Sequence, residues 1–252
     1  MYTFSRTLLT GGSGRLGREL QARLPGLAAP PRSELDLTDE TSVAVALARY
    51  RPELVIHAAA YTDVAKAELE PARCWQVNVA GTRHLVRHLG PAKLIFISTD
   101  YVFYGDRGNY REDDPPGPVR GYYALSKLVA EELARLPERH LIIRTSFRPS
   151  RWPHPVAFTD LYTSQDYVDV IADELALAIF HHDQLSYDTI HIATERKSVF
   201  ELARRRNPEV QPGSKATAKV SLPDDISLNT ARWQALRARF TQLGGTASKL
   251  TP

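Results

Sequence analysis

Tyr123 and Lys127, in the stretch Tyr123-Ala-Leu-Ser-Lys127, are the residue types that could deliver a proton to a substrate oxygen. Four residues apart on a helix, they share one face. A free tyrosine titrates near ~10, too high for ready acid–base work at neutrality, and a neighbouring ammonium would favour the phenolate and lower that value. Hydroxyls at Ser98 or Thr99, closing the buried strand read at Lys93 to Ser98, are expected to hydrogen-bond the same substrate oxygen. Such a pair recurs by chance; a glycine-rich segment far upstream gives it weight.

That segment, Thr10-Gly11-Gly12-Ser13-Gly14-Arg15-Leu16-Gly17, lies where a strand runs into a helix. Gly11 permits the tight turn, Gly14 lets a pyrophosphate approach the backbone, and Gly17 lets helix and sheet pack closely. Free N–H groups of the first helical turn, at Arg15 and Leu16, would face the phosphates. A cofactor without a 2′-phosphate usually meets an acidic residue after the second strand. Here that region reads Pro30-Pro31-Arg32-Ser33. Arg15 and Arg32 can pair a 2′-phosphate, so NADP(H) is favoured over NAD(H). Asp36 and Leu37 are expected near the adenine. Solvated surface charge is the competing reading for both arginines and for Asp36.

The elements that must position these groups alternate. Leu8-Leu9 ends a first strand, and Leu16, Leu20 and Leu24 stripe a helix that Pro25-Gly26 stops. Leu27 to Ala29 is a weak second strand. Val43, Leu47 and Tyr50 mark a helix, Leu54 to Ala58 a third strand, and Trp75 to Leu89 a further helix. After the strand Lys93 to Ser98 come a long loop over 105–121, a helix from Tyr122 to Leu136, and a strand at Leu141 to Ile143. This grammar predicts an α/β fold, a doubly wound parallel sheet of Rossmann type covered on both faces. Residues 1–147 form the expected dinucleotide-binding domain. Helices over 167–180, 199–206 and 230–240, the last capped by Asn229, and a strand at 189–193 give residues 148–240 the look of a small C-terminal α/β substrate lobe packed on it. Residues 241–252 read as a frayed tail.

Composition narrows the classes. The chain has 252 residues, 43% of them apolar, and a net charge of +3, which excludes disorder for most of it. The one tight basic cluster, Arg204-Arg205-Arg206, suits a solvated helix face, so no nucleic-acid partner is expected. A single cysteine, Cys74, excludes an internal disulfide and a Cys-rich zinc site and fits a reducing cytoplasm. No apolar run approaches the ~20 residues of a membrane span, and no signal peptide is read at the start.

Together these motifs resemble the extended short-chain dehydrogenase/reductases and, within them, the dTDP-4-dehydrorhamnose reductases. The resemblance rests on the glycine spacing, on Leu35-Asp-Leu-Thr-Asp39, His57-Ala-Ala-Ala-Tyr-Thr-Asp63, Asn78-Val-Ala-Gly-Thr82 and Ser98-Thr-Asp-Tyr-Val-Phe103, and on Tyr123 to Lys127, Arg144-Thr-Ser146 and Leu222 to Leu228. It is dense over 7–147 and thin afterwards. It implies NADPH-dependent reduction of a 4-keto nucleotide-activated deoxysugar. Tyr123 would give the proton, Lys127 would lower its pKa and hold the nicotinamide ribose, and Thr99, with Ser98, would polarise the carbonyl. It further implies that Ala58, Ala59 and Ala60 line the cofactor cleft, that Tyr61, Thr62, Asp63, Asp100 and Tyr101 lie near cofactor or sugar, and that Asn78 ties strands to helix. Relatives are commonly dimers. The chain is shorter than usual for this resemblance, with the shortfall after Arg144, so a trimmed lobe is expected, in which Trp152 stands in as an aromatic contact to sugar or base. Two rival readings remain: a cofactor-binding regulatory module without turnover, and a nucleotide-sugar epimerase or dehydratase that keeps NAD bound.

Other signals are read as structural. His181-His182-Asp183 is taken as a helix end, His57 as a packed core histidine, Cys74 as a packed thiol, and Glu112-Asp113-Asp114 as solvated loop charge near the pocket entrance.

Overall fold

The computed structural model describes residues 4–218 and 222–243. In chain order the elements are β1 (Thr7–Thr10), α1 (Arg15–Arg23), α2 (Glu40–Tyr50), β2 (Leu54–His57), α3 (Val64–Leu69), α4 (Pro71–Trp75), α5 (Gly81–His88), β3 (Lys93–Thr99), α6 (Gly121–Ala134), β4 (His140–Thr145) and β5 (Phe147–Arg148). Then follow β6 (Val156–Phe158), β7 (Tyr162–Thr163), β8 (Asp166–Tyr167), α7 (Val168–Phe180), β9 (Thr189–Ile192), β10 (Lys197–Ser198), α8 (Val199–Arg204), β11 (Gln211–Gly213) and α9 (Ala231–Leu243).

Five of the strands form one parallel sheet in the order β1-β2-β3-β4-β9. Residues 27–29, read as a weak second strand, contribute only a bridge. Ala28 N donates to Thr7 O and accepts, through its carbonyl, from Leu9 N, both at 2.8 Å. Pro30 and Pro31 follow at once and cannot donate to a ladder, which explains why the strand stops there. The bridge lies on the far side of β1 from β2, so the direction of winding reverses at β1, where α/β sheets open a crevice.

The strands are buried on both faces, as a parallel sheet requires. One face packs Leu9, Ile56, Ile95 and Ile143 against Leu16 and Leu20 of α1, Ile171 and Leu175 of α7, and Trp233 and Leu236 of α9. The other packs Leu8, Val55, Leu94 and Ile142 against Val43 and Leu47 of α2, Leu85 of α5, and Ala130 and Ala134 of α6. The helical stripes read in the sequence are these faces.

The chain does not leave the sheet once at residue 147. It returns through α7, β9 and α9, so the fifth strand and two covering helices come from the segment expected to be the lobe. The small layer standing over the sheet's C-terminal edge is built instead from β5 to β8, β10, α8 and β11, with Trp152, Leu161, Val199 and Val210 in its core. Asn229 caps α9 as expected, its side chain accepting from Ala231 N at 3.0 Å. Residues 241–243 continue that helix, and the remainder of the expected tail, 244–252, lies outside the described residues. Among the described residues no helix is long and apolar enough to cross a membrane.

Candidate active site

A cleft of about 1360 Å³ runs along the C-terminal ends of β1 to β4, beneath the small layer. Apart from Tyr61 and Asp63, it collects the residues that the sequence singled out for cofactor, substrate or chemistry, from Gly11, Gly14, Arg15, Leu16 and Gly17 to Trp152.

At one end lies the glycine turn. Gly11 has φ +76°, and a Cβ there would stand 2.8 Å from Ala59 Cα, so the turn presses on the segment after β2. A Cβ on Gly14 would meet only the Gly11 carbonyl, at 3.1 Å, and its outer side is open. Gly17 serves differently from expectation. A Cβ there would collide with Gly11 O and Gly12, so this glycine seats helix α1 on the loop itself rather than on the sheet. Ala58, Ala59 and Ala60 form the wall, and Leu37 packs under Gly81 of α5. Arg32 is ion-paired with Asp36 (Nε–Oδ2 3.0 Å), and Asp36 is held in turn by Thr38 N and Oγ1. These bonds keep the Asp36 carboxyl below its usual range despite the opposing effect of burial.

At the other end, β3 delivers Ser98 and Thr99, the 3-10 turn that follows it delivers Asp100, and α6 delivers Tyr123 and Lys127. The Tyr123 ring is buried and lies edge-on to Tyr101 with centroids 6.0 Å apart, and Thr99 stands beside its hydroxyl. Burial raises its pKa well above the ordinary value, and the Asp100 carboxylate adds to that; Thr99 works the other way. The expected lowering by Lys127 is not what this arrangement does. The Lys127 ammonium donates to Ile97 O at 2.8 Å and sits 4.1 Å from the Phe96 ring centroid, committed to the strand rather than to the phenol. Burial brings Lys127 down to about 8, with Glu131 opposing. Asp100 is sealed beside this pair and pushed up to about 6 by burial, against hydrogen bonds from Ser146 and Thr99 and the charge of Arg148.

Ser98 faces a different task from that expected. Its hydroxyl donates to Glu131 Oε2 at 2.5 Å, behind the cleft wall, so its proton is spent on positioning β3 against α6 and not on a substrate oxygen. Glu131 in turn holds Arg144 (2.7 Å) and Arg135 (2.8 Å). Tyr61 and Asp63 also leave the set: the Tyr61 hydroxyl donates to Glu70 and Asp63 caps α3, while Thr62 between them lines the cleft. Asn78 does tie elements together, donating to Tyr61 O (3.2 Å) and Ser126 Oγ (2.9 Å) and accepting from Tyr61 N (2.7 Å). It does so from a π-helical turn, Gln76–Ala80, that interrupts the helix read as continuous from Trp75.

The remaining signals are structural. His57 is buried between Thr10 and Thr82 hydroxyls, and Cys74 contacts Ser126 Oγ. His181 stacks on Phe240 at 4.2 Å. Glu112 corrects the reading of solvated loop charge: it is buried and accepts from His191 N. Arg205 and Arg206 are ion-paired with Asp166 and Asp169. Among the described residues no cluster of His, Cys, Asp or Glu is placed to hold a metal ion. Sequence reasoning missed Arg148, Glu68 and Arg120 on the cleft wall. Arg148 stands two residues beyond the quoted Arg144-Thr-Ser146 stretch, which was the signal available.

Known proteins resemble this chain in sequence and fold. The chain is 44% identical over 156 residues to a dTDP-4-dehydrorhamnose reductase of Streptomyces griseus, covering 58% of this chain and 51% of the relative. It is 35% identical over 184 residues to one of Aggregatibacter actinomycetemcomitans, covering 68% and 62%. The chain therefore spans between half and two thirds of the length of these curated relatives. A crystal structure of dTDP-4-dehydrorhamnose reductase from Bacillus anthracis in complex with NADP superposes with a TM-score of 0.80 at 27% identity, over 97% of this chain and 100% of that one. A Thermus thermophilus UDP-glucose 4-epimerase complexed with NAD shares the fold, with a TM-score of 0.73 at 22% identity over 92% of this chain and 93% of that one. The family model described as RmlD substrate binding domain matches residues 5–204, from the glycine turn through the strand carrying Thr99 to the helix carrying Tyr123 and on into α8. With that match spanning both ends of the cleft, the chain belongs to the RmlD substrate binding domain family.

Proposed function

We propose that the protein is an NADPH-dependent reductase of a 4-keto nucleotide-activated deoxysugar, with Thr99, Tyr123 and Lys127 as its catalytic set. The observation that carries this is the Tyr123 hydroxyl, set beside Thr99 at one end of a cleft whose other end is a glycine turn. The relatives' printed names support the substrate class, and the NADP of the Bacillus anthracis structure supports the cofactor.

The residues fit such a cofactor. The open outer side of Gly14 and the small side chains of Ala58 to Ala60 leave a groove for a dinucleotide, the N-terminus of α1 faces it, and Arg15 and Arg32 flank the end expected to take the 2′-phosphate. When bound, NADPH supplies the hydride. The chain supplies the rest. Tyr123, its pKa raised by burial, holds its proton across the neutral range and can donate it from Oη to the reduced carbonyl oxygen. Thr99 orients that phenol and is the second hydroxyl at the same oxygen. Lys127 gives the site a fixed positive charge anchored on Ile97 O, which favours the developing alkoxide.

Tyr123→Phe should lower kcat by roughly 10²–10⁴-fold, the range for a lost general acid, with NADPH affinity nearly unchanged. A variant that keeps the full kcat with a 4-keto sugar nucleotide would remove Tyr123 from the mechanism.

A further inference from the structure

The segment from Thr145 to Trp152 gathers unpartnered donors on one wall of the cleft. Thr145 Oγ1, Arg148 Nε and Trp152 Nε1 are all sealed from solvent without a hydrogen-bond partner, and all three residues line the cleft. Among the described residues the Arg148 side chain has no hydrogen bond or ion pair; its guanidinium lies 5.5 Å from the Trp152 ring centroid. Buried donors are almost always satisfied, so three on one short segment call for an acceptor-rich group from outside the chain. Two of the three cannot accept, and one is a permanent cation, which selects an anion over a neutral sugar hydroxyl. The Arg148 charge is felt by Asp100, at the Tyr123 end of the cleft and not at the glycine turn, which argues against the cofactor's pyrophosphate as the anion. Asp100, the buried carboxylate that feels the Arg148 charge, already accepts from Thr99 Oγ1 at 3.1 Å.

We infer that Arg148, backed by Trp152, is the anchor for the diphosphate of the sugar nucleotide and thereby a specificity-determining residue of this cleft. The inference rests on the proposed substrate class. A guanidinium within cation–π range of an indole keeps its N–H donors for phosphoryl oxygens, which it can bind as a bidentate pair.

The test compares binding of dTDP and of thymidine by calorimetry to the full chain and to Arg148→Gln and Arg148→Lys, with NADPH binding followed by fluorescence as the fold control. In the wild type dTDP should bind more tightly than thymidine. Arg148→Gln should weaken dTDP about tenfold to a hundredfold and leave thymidine and NADPH unchanged, and Arg148→Lys should restore part of the loss. Equal dTDP affinity in wild type and Arg148→Gln would overturn the anchor, as would a wild type that binds dTDP no more tightly than thymidine. If Arg148 only supports Asp100, Arg148→Gln would lower kcat while dTDP affinity stands, and that too overturns it. A wild type that shows the dTDP pattern but oxidises no NADPH would keep the anchor and remove the reductase reading.

Discussion

The Lys127 ammonium donates to the carbonyl of Ile97, two residues before Thr99 on β3. One bond thus pins the helix that carries Tyr123 to the strand that carries its hydroxyl partner. The ammonium is buried and lowered to about 8, so it is the first of the two groups to lose its proton as pH rises, since the phenol is raised. The kcat/KM of the wild type should therefore fall above about pH 8. In Lys127→Met the profile should be flat there and kcat lower by roughly 10²–10³-fold. A wild-type profile without a basic limb would show that this ammonium is not needed in charged form.

Asp100 gives a stability prediction with a definite sign. Folding raises its carboxyl from 3.8 to about 6 through burial. A raised carboxyl contributes stability that is complete below the unfolded value and lost as pH climbs through about 6. The ionised form at neutrality is thus held at a cost of up to roughly 3 kcal/mol. Asp100→Asn should stabilise the fold by about 1–3 kcal/mol at pH 7.5, with the gain gone at pH 4. Urea unfolding at the two pH values measures this, and a gain equal at both would mean that burial of the charge is not the cause.

How far these features could be read before the fold was known depended on whether the constraint was local. The glycine turn, the Tyr123–Lys127 spacing and the Ser98-Thr99-Asp100 strand end are each set by backbone geometry within a few residues, and all three reached the cleft. The six-residue α3 was missed because it buries one residue, Ala67, too few for a periodic stripe. Tyr61 and Asp63 were misread because capping and ligand binding ask for the same side chains, and only the neighbours, Glu70 and Lys66 N, decide between them. The return of the chain through β9 to the main sheet, like the diversion of the Ser98 proton to Glu131, depends on contacts between distant segments that no window of sequence contains.

Gly14 and Gly17 should respond very differently to the same added methyl. At Gly14 a Cβ would meet one carbonyl oxygen at 3.1 Å, a few tenths of an ångström too close, while at Gly17 it would overlap the backbone of Gly11 and Gly12. Gly14→Ala should fold with nearly wild-type stability and lose NADPH affinity because the methyl stands in the pyrophosphate's path. Gly17→Ala should lose stability as well, by about 1–3 kcal/mol, as overpacked sites do. Thermal unfolding with and without NADPH separates the two, and equal melting temperatures for both variants would contradict the packing argument.

Behind the cleft, Glu131 and Arg144 form a fully buried ion pair at 2.7 Å, with Arg144 also donating to Glu112 O and Glu131 accepting from Ser98. Burying two charges is costly, and their mutual attraction returns that cost only while both are present. Arg144→Met leaves the Glu131 carboxylate with Ser98 and Arg135 alone, and should cost about 3–5 kcal/mol in urea unfolding. The double change Glu131→Gln with Arg144→Met removes the orphaned charge and should recover part of that loss. Because Ser98 precedes Thr99 and Glu131 lies one turn beyond Lys127, the single variant should also depress kcat more than it weakens NADPH binding. A single variant as stable as the wild type would show that this pair contributes nothing to holding β3 against α6.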